Sequence, residues 1–353
     1  MSADSATPLQ TAIRRLAHNE VVPDAELTGA FEQVMTGEGT PTQIAALLMA
    51  LRVKGETPAE VAAVVRAMRS VMVRLPADAP EDLVDTCGTG GGALVTFNIS
   101  TAAALLAAGV GVRVAKHGNR SFTSLCGSAD VLEALGISIE VPVPVMERSL
   151  REAGIVFMFA PVMHPAMRFV GPVRRELGVP TVMNIVGPLA NPALAGRQVV
   201  GVADERRLPL IARALRELGS RHALVVHGLP GLDEVSPLGR THVIELRDGH
   251  LSEWSIEPTT YDFGGVREDH LRGGSPKENA ALVVDVLTGE GSTGATAAVV
   301  LNAAAAIYVS GAVKQFDDAV EMAKGGIREG AGMRALVRLR AAFTVVPDSR
   351  EAR

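Results

Sequence analysis

The chain has 353 residues, a length that suits about two domains at roughly 150 residues each, and 47% are hydrophobic against 21% charged. That balance supports a sizeable core and excludes a disordered chain. A net charge of -5, 3% aromatic residues and no long Lys/Arg run argue against a nucleic-acid binder, which needs basic surface for phosphates and rings for bases, and leave room only for a local basic pocket. Two cysteines, Cys87 and Cys126, are too few for a disulfide framework or a zinc cluster, and both read as small space-fillers beside glycine-rich motifs.

Met1 to Glu20 carries no apolar core of signal-peptide type, and the chain reads as cytoplasmic. The first quarter reads as all-helical. Asp24 is expected to cap a helix running to about Met35, and Thr40-Pro41 supplies an N-cap and an N1 proline for a helix that stops at Gly55. Thr57-Pro58-Ala59-Glu60 is a capping box opening a helix towards Met72. Residues 75–82 form a linker, after which short apolar runs alternate with helical periodicity. Strands are expected at Leu83–Thr86, Val112–Ala115, Ile137–Val141, Val156–Ala160, Val199–Val202 and Ala223–Val226, with a helix at Leu208–Leu218. Such alternation predicts an α/β domain with a mostly parallel sheet flanked by helices, whose ligands sit at the carboxyl ends of the strands. Gly291–Val313 has no charged residue and is long enough to span a bilayer, but its Ala and Gly content, with Asn302 near the middle, reads as a buried helix.

The chemistry concentrates in four places. Asp85-Thr86-Cys87-Gly88-Thr89-Gly90-Gly91-Gly92 follows a strand and precedes Thr96-Phe97-Asn98-Ile99-Ser100-Thr101, which opens a helix. Glycines let backbone N–H groups approach a phosphate, and a helix N-terminus adds partial positive charge. Gly88-x-Gly90-x-x-Ala93 only superficially fits a dinucleotide fingerprint, because Arg113 and Lys116 stand where an acidic residue for the ribose belongs; no Gly-Lys-Ser/Thr of a Walker loop occurs. Lys116-His117-Gly118-Asn119-Arg120-Ser121, continuing through Phe122-Thr123-Ser124 to Gly127-Ser128-Ala129-Asp130, offers a second anion site. Gly231-Leu232-Asp233-Glu234-Val235-Ser236 places adjacent carboxylates on a loop, a usual way to hold Mg²⁺ against substrate phosphates. His164 with Arg168, Arg174 and Arg175 precedes Asn184-Ile185-Val186-Gly187-Pro188-Leu189-Ala190-Asn191-Pro192; arginine is the natural fork for a carboxylate, and spacing alone does not choose among the three.

Gly-Thr-Gly-Gly with Thr-Phe-Asn-Ile-Ser-Thr, Lys-His-Gly-Asn-Arg and Gly-Pro-Leu-x-Asn-Pro, in this order, resemble the anthranilate phosphoribosyltransferases over nearly the whole chain, to Leu301–Ala306. The resemblance implies a nucleoside-phosphorylase-like phosphoribosyltransferase fold. A small helical domain at 1–75, joined by helices from about 165–190, would stand beside an α/β domain at 76–353, with a homodimer through the helical one. It implies phosphoribosyl diphosphate and anthranilate as substrates, Mg²⁺, and neither nucleic acid nor membrane as partner. Carried over by motif, the donor would be held by Gly88, Gly91, Gly92, Thr96, Asn98, Ile99, Ser100 and Thr101, with Lys116, His117, Gly118, Asn119, Arg120, Ser121, Phe122, Thr123, Ser124 and Ser128. Anthranilate would meet Gly88, Asn119, His164 and Arg174, and Mg²⁺ would meet Ser100, Asp233 and Glu234. Lys116 and Arg174 are the expected catalytic residues, Lys116 as an electrostatic stabiliser of the leaving diphosphate.

Three positions depart from the family pattern. Gly92 stands where the family usually has Asp, which removes a carboxylate beside the diphosphate; weaker repulsion of the donor and an altered Mg²⁺ optimum are expected. Leu125 lies where a basic residue is common, and Cys126 where a serine is common. Two rival readings share the architecture. A pyrimidine-nucleoside phosphorylase should carry a different Lys-His-Ser-type signature and has no use for adjacent Mg²⁺ carboxylates. A non-catalytic nucleic-acid-binding relative should be basic, whereas this chain is acidic and keeps Arg174.

Overall fold

The computed structural model describes residues 6–121 and 125–343. Four helices come first: α1 (Pro8–Ala17), α2 (Asp24–Thr36), α3 (Pro41–Lys54) and α4 (Pro58–Val71). Three of them start the same way. Thr7, Thr40 and Thr57 each accept a hydrogen bond from the backbone N–H three residues on, followed by a proline whose missing N–H would have no partner there anyway. Glu60 extends the third box: its buried carboxylate also takes the Lys54 ammonium at 2.8 Å, closing the α3–α4 turn. Asp24 is not the expected cap. Pro23 occupies that position, and Asp24, the first helical residue, pairs with Arg66 of α4.

The chain then alternates: β1 (Val84–Gly88), α5 (Ile99–Gly109), β2 (Val114–Gly118), α6 (Ser128–Ala134), α7 (Val143–Ala153), β3 (Ile155–Phe159), α8 (Ala160–Met163), α9 (Met167–Leu177), β4 (Arg197–Gly201), α10 (Leu208–Glu217) and β5 (His222–Gly228). An antiparallel pair follows, β6 (Thr241–Arg247) and β7 (His250–Ile256), then α11 (Pro276–Thr288), α12 (Thr293–Ser310), α13 (Phe316–Arg328) and α14 (Ala331–Phe343). Among the described residues seven strands form one sheet in the order β3-β2-β1-β4-β5-β6-β7, parallel from β3 to β5.

Two expectations from sequence need correction. Ile137–Val141 is not a strand: Ile137, Ile139 and Val141 are buried in strand-like alternation, but the segment pairs with no strand of the sheet and serves as a buried connection between α6 and α7. The β6–β7 hairpin was not expected. Its signal was Asp248-Gly249, both at positive φ, the backbone of a tight hairpin turn; polar residues on exposed β7 hid the strand pattern.

The two faces of the sheet bury two cores. One packs α5, α7 and α11 to α14 against β1–β3; the other packs α10 with α1–α4 and with Ala166–Ala190, which come from the far side of the chain. α12 has the length and hydropathy of a membrane span, yet 83% of that window is buried inside the protein. Close helix packing relies on small residues. At Gly109 a Cβ would overlap the Ala331 carbonyl where α5 meets α14. Gly109→Ala is therefore expected to destabilise the protein by about 1–3 kcal/mol, seen as a lower thermal unfolding midpoint. Gly264→Ala, with open space at the new methyl, should stay within about 0.5 kcal/mol of the parent.

Candidate active site

Strand order reverses beside β1, with β2 and β3 on one side and β4 and β5 on the other. In open α/β sheets, the carboxyl ends of the strands at such a reversal leave a crevice for ligands. Here β1 ends at Gly88, β4 at Gly201 and β5 at Gly228, and the loops that follow β1 and β5 meet over that edge.

They meet through Asp233. Its carboxylate accepts a hydrogen bond from the Gly90 N–H at 2.8 Å, and the Ala93 N–H binds the Gly231 carbonyl at 2.8 Å. A Cβ on Gly88 would lie 2.5 Å from Asp233 Oδ2, and one on Gly201 would overlap the Asp233 main chain. Gly88 and Gly201 are therefore required by the acidic loop itself, not only by a phosphate. Gly90 and Gly91, at φ +70° and +80°, have open space around them, and while the Gly90 N–H is held by Asp233, Gly91 leaves its backbone open to a ligand.

Beneath this loop the charges are dry. The Lys116 ammonium is buried, donating to the Thr86 carbonyl at 2.5 Å and to Ser100 Oγ at 3.2 Å. Burial lowers its pKa, against the opposing pull of Asp85, Cys87 and Glu234. Asp85, fully buried, accepts the His117 backbone N–H at 3.1 Å and the Asn191 amide at 2.7 Å, and burial raises its pKa. Burial also raises the carboxyls of Asp233 and Glu234, the latter to about 8, with its neighbour Asp233 adding to the effect and Lys116 and Ser100 opposing it. Thr86, Cys87, Ser100, Gly201, Glu234 and Asn302 line one small cavity at this point.

Other expected site residues fall around it. The Asn98 carboxamide is fully engaged: its oxygen accepts from Asn279 at 2.9 Å and from the Cys126 thiol at 3.3 Å, while its nitrogen donates to the Cys126 carbonyl. Thr96 and Arg272 face each other as an antiparallel bridge, so residues 271–274 back the donor loop. Ile99 is core, and the buried Thr101 hydroxyl has no hydrogen-bond partner among the described residues. Ser128 Oγ donates to the Asn119 carbonyl at 3.2 Å, and the Asn119 side chain accepts the Arg120 N–H at 2.8 Å. Arg120 turns outward, paired with Asp130 and Glu133 and lying over Phe159 at 5.5 Å. Asp130 also takes the Ser121 and Gly127 N–H groups, pinning both stems of the segment that carries Leu125 and Cys126. The donor residues expected at Phe122, Thr123 and Ser124 lie outside the described residues.

His117 and His164 lie against each other with ring centroids 4.9 Å apart and planes tilted by 48°. Each Nε2 is buried with no hydrogen-bond partner among the described residues. Burial is the main cause that pushes His117 down to about 3, with its neighbour His164 adding to it, and burial takes His164 down to about 4. His164 also walls an apolar pocket with Met35, Met68, Val71, Met72, Ala166 and Met167. The three arginines that spacing did not separate now differ. Arg168 is exposed and lies over Phe169, and Arg175 is exposed. Arg174 is half-buried in the last turn of α9, its pKa lowered by burial, with no hydrogen bond or ion pair among the described residues. A half-buried guanidinium without a partner is poised for a ligand carboxylate.

Among the described residues no three His, Cys, Asp or Glu side chains converge into a self-contained metal cage. Ser100 and Glu234 line one cavity and Asp233 adjoins Glu234 in the chain; these are oxygen side chains of the kind that suits Mg²⁺ beside substrate oxygens. Asp85, Asn279 and Asn302, not singled out as site residues in sequence, are buried polar side chains packed around these loops, and only the fold reveals what each holds.

A glycine loop, buried lysine and acidic loop at a sheet reversal, beside a helical unit, define a phosphate-handling transferase of the glycosyl transferase type. Two family models agree: the glycosyl transferase family a/b domain matches residues 80–333, and the glycosyl transferase family helical bundle domain matches residues 10–72. The anthranilate phosphoribosyltransferase of Roseiflexus sp. (strain RS-1) is 47% identical over 334 residues, 94% of this chain and 97% of that protein. That of Rubrobacter xylanophilus is 47% identical over 330 residues, 94% of this chain and 96% of its own length. The crystal structure of the Thermus thermophilus enzyme superposes with a TM-score of 0.89 at 40% identity, covering 95% of this chain and 99% of that one. The Saccharomyces cerevisiae enzyme in complex with PRPP and Mg does so at 0.86 and 25% identity, covering 96% and 98%. This chain belongs to the anthranilate phosphoribosyltransferase family.

The buried neutral histidines make stability pH-dependent with a definite sign. In the unfolded chain each takes a proton below about 6.5, while in the folded protein His164 stays neutral down to about 4. The contribution of these two histidines to stability is therefore expected to fall as pH drops from about 6.5 towards 4, opposite in sign to that of Glu234, whose raised pKa favours the folded state at low pH. His164→Asn should reduce proton uptake on unfolding at pH 5.5 by about one, measured from the slope of unfolding free energy against pH.

Proposed function

We propose that this chain transfers the phosphoribosyl group of 5-phospho-α-D-ribose 1-diphosphate to the amine of anthranilate, releasing diphosphate, in tryptophan biosynthesis. The observation that carries this reading is the meeting of the glycine loop with Asp233 above Lys116, Ser100 and Glu234. Backbone donors for phosphates and oxygen ligands for a cation lie there at one sheet edge.

The residues divide the work. Gly91 presents backbone to the donor phosphates, joined by Gly90 when the ligand displaces Asp233 from its N–H, with the N-terminus of α5 behind them. Loss of diphosphate builds positive character on the ribose and negative charge on the leaving group, and Lys116 stabilises the latter by charge alone. Mg²⁺, when bound by Asp233, Glu234 and Ser100, would neutralise phosphate charge and orient the leaving group. Arg174 takes the anthranilate carboxylate, and His164 and Asn119 complete the acceptor side. The aromatic amine is neutral at pH 7, so no strong base is needed, and a pKa near 3 makes His117 a poor one.

We read residues 1–75, joined by about 165–190, as one domain and 76–353 as the other, supported by the core that α1–α4 share with Ala166–Ala190. We place the protein in the cytoplasm, a reading supported by its kinship with biosynthetic enzymes. We propose a homodimer through the helical domain, where Val21 and Val53 stay exposed.

The direct experiment is loss of anthranilate fluorescence on adding phosphoribosyl diphosphate and Mg²⁺; no turnover overturns the reading. In that assay Arg174→Ala should raise the anthranilate KM about tenfold or more, since a charge-assisted bond contributes about 1.5–3 kcal/mol, with the donor KM within about twofold. Equal effects on both substrates would remove its role. At Gly92 an added Cβ would sit 3.0 Å from Asp233 Oδ1. Gly92→Asp is therefore expected to raise the donor KM and shift the Mg²⁺ optimum by placing a second carboxylate beside the first; unchanged values of both would contradict this.

A further inference from the structure

α12 is an 18-residue helix with no charged side chain, buried along nearly its whole length. A carboxamide in its middle is costly unless every polar atom finds a partner. Asn302, 3% exposed, finds them on the acidic loop. Its Nδ2 donates to the Val235 carbonyl at 2.8 Å and to the Ala298 carbonyl at 2.9 Å, and its Oδ1 accepts the Val235 N–H at 2.9 Å. One side chain thus pairs with both main-chain polar groups of Val235, as a neighbouring strand would. Val235 directly follows Glu234, and Asn302 lines the same cavity as Glu234 and Ser100.

On its other side the acidic pair is anchored by Leu232, whose N–H and carbonyl both pair with Gly228 at the end of β5. The side-chain contact of Asp233 with Gly90 is the one that a ligand on the glycine loop would disturb. On the carboxyl-terminal side Ser236 is tied to Thr241 and to the Leu229 carbonyl, and Asn302 is the anchor nearest the pair, the one that ties it to a helix running through the core.

We propose that Asn302 is a positioning residue that holds the Asp233–Glu234 carboxylates in place for a divalent cation by binding both main-chain groups of Val235. This rests on the reading that Asp233 and Glu234 are the cation ligands. Asn302 touches neither substrate nor cation; it sets where the ligands stand before either arrives.

The test is Mn²⁺ binding to the full-length protein in the presence of inorganic diphosphate, followed by electron paramagnetic resonance of free Mn²⁺, without turnover. Asn302→Ala, checked for folding by thermal unfolding, is expected to weaken Mn²⁺ about 10–100-fold, the usual cost of losing an outer support of metal ligands. Anthranilate binding, read by fluorescence, should change less than about twofold. If the alanine variant does not fold, Asn302→Ser, which keeps one hydroxyl in the same cavity, should show a smaller loss in the same direction. A folded variant with parental Mn²⁺ affinity, beside an Asp233→Ala variant that has lost it, would reduce Asn302 to core packing and overturn the proposal. Parental affinity in Asp233→Ala as well would remove the cation reading itself, and the positioning role with it.

Discussion

The rest of the site depends on how closely the loop after β5 packs over the end of β4. Gly201 has no side chain, so the Asp233 backbone lies directly on it, and the Asp233 carboxylate then reaches the Gly90 N–H. Any larger residue at Gly201 would lift the acidic loop off the sheet. The contact joins two segments 143 residues apart, and it brings the acidic loop and the glycine loop onto one edge.

That closeness has an electrostatic cost, and the surrounding residues balance it. Asp85, Lys116, Asp233 and Glu234 all sit where burial disfavours their charged forms. Opposite charges and hydrogen bonds offset the penalty in part: Asn191 and the His117 N–H on Asp85, Thr86 and Ser100 on Lys116, and Gly90 on Asp233. A buried, low-dielectric arrangement of this kind strengthens interaction with a highly charged ligand and needs little reorganisation when the leaving group gains charge. The neutral paired histidines and the methionine-lined pocket make the neighbouring wall apolar, which suits an aromatic ring better than a phosphate.

Much of this was legible in the residues. The Thr-Pro capping boxes at Thr40 and Thr57, five of the six expected strands and the burial of α12 follow from local rules of capping, periodicity and charge. The glycine loop, Lys116 and the acidic pair stood out in sequence by their chemistry, and the fold brings them together at one sheet edge. Ile137–Val141 failed because alternation reports burial, not whether a strand partner exists. Arg120 looked like a phosphate ligand in sequence, and the fold pairs it with Asp130 and Glu133.

The sequence by itself determined the class of chemistry: glycines where backbone must bind, carboxylates adjacent on a loop, and an arginine-bearing helix before Gly-Pro-Leu-x-Asn-Pro. Capping, periodicity and side-chain chemistry are local, so they can be read residue by residue. Only the tertiary structure decided which of Arg168, Arg174 and Arg175 is half-buried without a partner, why Gly88 and Gly201 must lack side chains, and that Asn302 binds Val235 from a core helix. Those facts depend on contacts between segments tens to hundreds of residues apart. Local sequence carries no record of such distances until the chain has packed.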